Sequence, residues 1–262
     1  MDKRTQIVTD FYTQYDEDGR LDRSRHAQLE YATTMHYIRR HAPKGCKLLE
    51  IGAGTGRYSI ALAKEGFDVT AVELVEHNLD ILKHNAVDLP DLRAHQGDAL
   101  DLSRFHDAFF DMTLVLGPMY HLYDPAEART AIREAIRVTK PGGTLIFAFL
   151  SAYAIMGNNY LQGNTVHGLR FNFTDDCHVR HFPEQLFTGY DVCEFEALFR
   201  DFPVTHLTTA AADGILELAS ARKDFAMTDE DFAAWTSFHL ATCEKRELLG
   251  HSSHLLYLCR KE

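Results

Sequence analysis

The densest chemical signal in the chain is the run Glu50-Ile51-Gly52-Ala53-Gly54-Thr55-Gly56-Arg57. An apolar strand entering a glycine-rich turn and then a helix brings backbone amides close to a ligand at the carboxyl edge of a sheet. Any nucleotide-like ligand meets that description, and so does a tight turn with no ligand at all. Two details narrow it. The dinucleotide fingerprint requires glycine where Arg57 stands. Glu50, two positions before the first glycine, would repel a pyrophosphate and attract a cationic ligand. A second acid, Glu73, closes the next apolar run, about twenty residues past the glycines, which is also compatible with the ribose of a nicotinamide cofactor.

These residues need a scaffold, and the pattern from Lys47 to Leu150 supplies one. Leu48–Ile51, Val69–Val72 and Met112–Leu116 read as buried strands, a short third segment reaches Gly97-Asp98, and Thr144–Leu150 is a fifth strand. Helices fall between them, around 58–65 (ended by Gly66), around 78–87, and from Asp124-Pro125-Ala126-Glu127 to a stop at Pro141-Gly142-Gly143. Strand and helix alternating at this spacing imply βαβ crossovers and a parallel sheet covered on both faces.

Two helices precede the sheet, the first carrying Ile7, Phe11 and Tyr15, the second Tyr31, Met35 and Ile38 before Pro43. Residues 151–190 are rich in Gly, Asn, His and aromatics without a period, too long for an ordinary connection, and read as a substrate-covering insertion. A helix opened by Asp191, strands at 204–209 and 254–259, and a helix near 229–248 complete the chain.

The 262 residues carry 27 Lys and Arg against 38 Asp and Glu, a net charge of -11, which argues against gripping a nucleic-acid duplex by charge alone. With 45% hydrophobic residues the chain can bury a sizeable core. Five scattered cysteines without a C-x-x-C pair fit reduced thiols. No stretch reads as a signal peptide or membrane span, so a cytoplasmic location is expected.

With these motifs in this order, residues 45–150 resemble the class I S-adenosylmethionine-dependent methyltransferases, whose first motif is E/D-x-G-x-G-x-G at the end of strand one. The resemblance implies a Rossmann-like, doubly wound, mostly parallel α/β sheet of seven strands, with an N-terminal helical lid (1–42) and an insertion after strand five. It implies S-adenosylmethionine as cofactor, S-adenosylhomocysteine as product, and cofactor contacts from Glu50, Gly52, Ala53, Gly54, Gly56, Glu73, Leu74, Asp98, Ala99, Leu116 and Gly117. Glu73 would hold the ribose hydroxyls and Asp98 the adenine amino group; Asp98 as a plain helix cap is the alternative. His121, after strand four where the methyl group should point, becomes the candidate general base, and Tyr120 a positioning residue. Gly117-Pro118-Met119-Tyr120 departs from the [D/N]-P-P-[Y/F] signature of adenine- or glutamine-modifying members, which favours a small-molecule acceptor.

Under the lid reading Tyr15, Arg25 and Tyr31 face the substrate, and Arg170 in the insertion joins them. The pairs His178/His181 and His251/His254 have no completing Cys or acid, and a spacing of three in a strand sends rings to opposite faces, so no metal is expected. The expected function is methyl transfer to O, N or S of a small molecule by in-line displacement. A methyltransferase of RNA or protein, a nicotinamide-dependent oxidoreductase and a non-catalytic cofactor-binding module are the alternatives. Membrane and nucleic-acid partners are not expected, and oligomeric state is not readable.

Overall fold

The computed structural model describes residues 2–161, 163–183 and 185–262. Its centre is a sheet in the order β3-β2-β1-β4-β5-β8-β7, built from β1 (Lys47–Ile51), β2 (Asp68–Glu73), β3 (Leu92–Gln96), β4 (Phe110–Val115), β5 (Thr139–Ser151), β7 (Val204–Ala211) and β8 (His254–Lys261). The first five strands run parallel; β8 is antiparallel to both β5 and β7. These seven strands form the expected path. An eighth, β6 (Gly189–Tyr190), pairs in parallel with Leu150 and Ser151 on the side of β5 that β4 leaves free after Val115.

The strands are continuous apolar runs because helices flank the sheet. Leu48, Leu49, Val69, Met112, Leu114, Ile146 and Phe147 are completely buried. α3 (Arg57–Lys64), α4 (Glu76–Asn85) and α5 (Pro125–Val138) connect the parallel strands. Asp124 caps α5 by accepting from the amide of Ala126 at 2.8 Å, with Pro125 in the first helical position. Before the sheet lie α1 (Lys3–Gln14) and α2 (Arg25–His41), joined by a 3₁₀ turn at Arg20–Asp22.

Three expectations need correction. Pro141-Gly142-Gly143 is not a turn between helix and strand: β5 begins at Thr139, opposite Phe110, and takes the extra residues as a bulge before Thr144 pairs with Met112. The helix near 229–248 is two, α10 (Asp229–Thr242) and α11 (Arg246–Leu249). The segment 151–190, read as aperiodic, contains α6 (Ala152–Ile155), a π turn at Met156–Tyr160 and α7 (Thr165–Asn172). Gly168 packs against the Tyr160 ring so closely that a Cβ there would lie 2.3 Å from it. Before β7 comes α8 (Val192–Ala197), opened by the Asp191–Glu194 capping box, and after it α9 (Leu216–Ser220). Among the described residues no helix is long and apolar enough to cross a membrane.

Candidate active site

The strand order sets the site. The carboxyl ends of β3, β2, β1, β4 and β5, together with the start of antiparallel β8, lie side by side on one edge of the sheet. At about 4.8 Å per strand this edge is about 24 Å long from β3 to β8. A cavity of about 610 Å³ lies along it, lined in strand order by Asp98, Glu73, Gly52 and Gly54, Gly117, Leu150 and His254. α1 and the turn after it cover the open side with Arg4, Phe11, Tyr12 and Arg20.

At the β1 and β2 ends the turn is shaped by close packing. Gly52 has φ +77°, and a Cβ on it would lie 2.5 Å from Cδ of Pro118 in the loop after β4. Only glycine satisfies both conditions. Glu73 holds the turn from the side: its carboxylate accepts from the amides of Gly54 (2.8 Å) and Val75 (2.9 Å). Burial raises its pKa, and those two amide bonds work in the opposite direction. Each oxygen keeps a lone pair for a ligand hydroxyl. Asp98 caps its own loop through the Leu100 amide (3.0 Å) and takes a 2.6 Å ion pair from Arg4 of α1. Between them, Oδ1 of Asn78 is buried without a hydrogen-bond partner on the cavity wall.

Glu50 does not line this cavity, contrary to expectation. It is buried beneath the turn, accepting a hydrogen bond from Ser59 of α3, and with Ala53 borders an adjoining cleft of about 50 Å³ that shares Gly52, Gly54 and Leu116 with the cavity. Burial pushes its pKa up to about 8, partly offset by Ser59 and reinforced by Glu73. Gly56 also lies away from the main cavity, packed on Leu82 of α4.

His121 lines the cavity with both ring nitrogens engaged. Nδ1 is 2.6 Å from the carbonyl of Leu186, and Nε2 is 3.3 Å from the Tyr12 hydroxyl. A carbonyl can only accept, so Nδ1 carries the proton and Nε2 accepts from Tyr12. Burial lowers the His121 pKa to about 4, with the Leu186 carbonyl opposing and Arg4 assisting. Through these two bonds the neutral imidazole ties α1 to the loop before β6. Phe187 packs on its ring and on Phe11.

Of the remaining expected residues, Tyr15, Leu74, Ala99, Leu116 and Tyr120 line the cavity. Three do not. Arg25 is drawn to α10, bonding Asp229 at 2.5 Å. Tyr31 stacks on Tyr58 beneath the Arg57 guanidinium. Arg170 sits exposed on α7. The pair His178/His181 separates too: His178 is exposed, while His181 bonds Thr188 (2.6 Å) and Glu194 (2.8 Å).

At the β5–β8 end the structure reveals a charged cluster that local patterns did not announce. Arg20 makes a two-pronged pair with Glu30 (3.0 and 3.1 Å) and also reaches Glu17 at 2.9 Å. Oδ2 of Asp213 lies 2.7 Å from Nδ1 of His254, and Glu30 lies 3.7 Å from the same nitrogen. The 213-residue carboxylate is fully buried and further held by the Ser252 hydroxyl (2.5 Å) and the His254 amide (3.2 Å). Burial would raise the Glu30 pKa, but Arg20 and His254 bring it down to about 2. Burial would lower that of His254, but Glu30 and Asp213 push it up to about 9. Glu30, Asp213 and His254 offer three ligand-type atoms within 4.8 Å of one another, and Arg20 makes one bond to each Glu30 oxygen.

Comparison with known proteins agrees with this geometry. A family profile described as "Methyltransferase domain" matches residues 49–147. A demethylmenaquinone methyltransferase of Paenarthrobacter aurescens is 38% identical over 107 residues, 41% of this chain and 40% of that protein. The chain spans about half the length of the curated relatives it matches. The PH0226 protein of Pyrococcus horikoshii superimposes over 97% of this chain and 99% of its own at a TM-score of 0.63 and 17% identity. A phosphoethanolamine N-methyltransferase of Haemonchus contortus, solved with phosphoethanolamine and S-adenosylhomocysteine, covers 98% of this chain with 48% of its own at TM-score 0.61 and 14% identity. Residues 49–147 thus match the methyltransferase domain, and the sheet carries the fold seen in S-adenosylmethionine-dependent methyltransferases.

Proposed function

We propose that the chain is a methyltransferase that uses S-adenosylmethionine to methylate a small-molecule acceptor. One observation carries the reading: Asp98, Glu73, Gly54 and Gly117 stand in strand order along a single cavity, with an acid at each of the first two strand ends, Asp98 half-buried and Glu73 buried. The residues fit such a cofactor. Glu73 has lone pairs for two ribose hydroxyls, Asn78 Oδ1 lacks a partner, and Ile51, Leu74, Ala99 and Leu116 offer apolar walls to a nucleoside. Gly54 leaves its side of the cavity open, since a Cβ there would meet only Glu17, at 3.5 Å.

When bound, S-adenosylmethionine supplies a methyl group already activated by a sulfonium. The chain then has to align and to keep water out. Gly52, locked against Pro118, fixes the loop after β4 beside the turn after β1. Residues 1–42 act as a lid, with Phe11 and Tyr12 closing over His121 and Phe187. The 151–190 segment shapes the acceptor end through Phe187 and the Leu186 carbonyl. Enclosure on this scale suits a small acceptor better than a nucleic acid or protein surface.

Calorimetric titration with S-adenosylhomocysteine tests the proposal: a saturable exothermic or endothermic isotherm is expected. Absence of binding at millimolar ligand, or binding of NADH in its place, would overturn it.

A further inference from the structure

The far end of the cavity has a use that the cofactor half does not explain. Asp213 accepts from Nδ1–H of His254 at 2.7 Å, and its other oxygen is held by Ser252 and the His254 amide. That fixes the ring and leaves Nε2 as its working nitrogen, on a side chain 20% exposed that lines the cavity wall. The position matters. β8 lies beyond β5, so His254 is separated from the cofactor-holding strands by the strand bearing Leu150.

We infer that Nε2–H of His254, oriented by Asp213, is the recognition group for the acceptor, and that the acceptor carries an anionic oxygen: a carboxylate, a phenolate or an enolate. This rests on the methyltransferase reading and adds the substrate class to it. The charges around the ring support it. Glu30 of α2 is closed by the two-pronged Arg20 pair and Asp213 by His254 itself, while Arg23, paired with Asp16, and His26 also line the cavity. Glu17, the third acid, is mostly buried, and burial raises its pKa. Tyr120, whose ring is 5.9 Å from that of His254, has its pKa raised well above the usual value by burial, so it stays neutral. Glu30 and Asp213 together hold His254 cationic up to about pH 9. An imidazolium presenting one free N–H to an enclosed, partly apolar cavity selects an anion over an amine.

The test uses the wild-type protein saturated with S-adenosylhomocysteine and three probes of one shape: benzoate, benzamide and benzylamine. Benzoate should bind most tightly, and its affinity should fall as pH rises past about 9. His254→Gln should weaken benzoate by about tenfold or more, the worth of a hydrogen bond to a charged group. Equal binding of benzoate and benzamide, preference for benzylamine, no binding of any probe, or an affinity flat through pH 9 would each overturn the inference. The pH profile needs no variant, so it decides even if His254→Gln fails to fold. Failure of S-adenosylhomocysteine to bind the same sample would instead strike the methyltransferase reading.

Discussion

Replacing Glu50 by Gln should make the protein more stable at neutral pH. The wild-type carboxyl is buried beneath the glycine turn, with a pKa pushed up to about 8, against an ordinary value of 4.5 that approximates the unfolded chain. The sign follows from proton counting. Between these two values the native state keeps a proton that the unfolded chain releases, so stability falls as pH rises through that window. At pH 7 the difference is about 2.5 units at about 1.4 kcal/mol each, an upper limit of about 3 kcal/mol. Glutamine has the same shape, its carbonyl can accept the Ser59 hydroxyl, and it does not ionise. The variant should therefore gain about 2–3 kcal/mol at pH 7–8, or about 5–10 °C in melting temperature for a chain of this size, and nothing at pH 4. Denaturant melts of both proteins from pH 4 to 8 measure the difference directly. His254 contributes to both proteins alike and cancels. If the two stability profiles run parallel across that range, Glu50 is ionised in the fold and the reasoning fails.

Other perturbations separate the parts of the site. Glu73→Ala removes the acceptor of two turn amides and should weaken S-adenosylhomocysteine by about 1–3 kcal/mol, read by calorimetry. Gly52→Ala combines positive φ with a 2.5 Å approach to Pro118 and should lose at least about 2 kcal/mol of stability in a denaturant melt. Gly54→Ala should cost only about 1 kcal/mol of strain, yet reduce cofactor affinity by filling the cavity. Arg20→Met leaves Glu30 buried without its partner and should destabilise by about 3 kcal/mol, with recovery in the Arg20→Met/Glu30→Met double variant. His254 has a raised native pKa, so its stabilisation is complete below about pH 6.5 and is lost as pH approaches 9; Asp213→Asn should flatten that limb of the melt profile.

The grouping of the glycine turn, Glu73 and Asp98 at one cavity was legible because its signals are local. Strand, glycine turn and helix follow one another within a dozen residues, and Glu73 and Asp98 are placed by the ends of adjacent strands. Pro141-Gly142-Gly143 misled because the same three residues suit a turn and a bulge, and only the pairing of Phe110 and Met112 with β5 distinguishes them. Arg25 and Tyr31 were expected to face the substrate, but Asp229 of α10 and the Arg57 guanidinium engage them instead. His254 carried no neighbouring motif. Its importance depends on β8 running antiparallel beside β5, which delivers the first residue of a late strand to the ligand edge, and on Asp213 arriving from the end of β7.

That topology divides the cavity by ancestry as well as by space. The stretch matched by the methyltransferase-domain family, 49–147, furnishes Asp98, Glu73, Gly54 and Gly117, whereas Tyr12, Arg20, Glu30, Phe187 and His254 all fall outside it. On the proposed function, selectivity toward acceptors can drift through mutations in the flanking stretches while the matched half stays constant. Engineers wishing to redirect the protein would vary those outlying positions first.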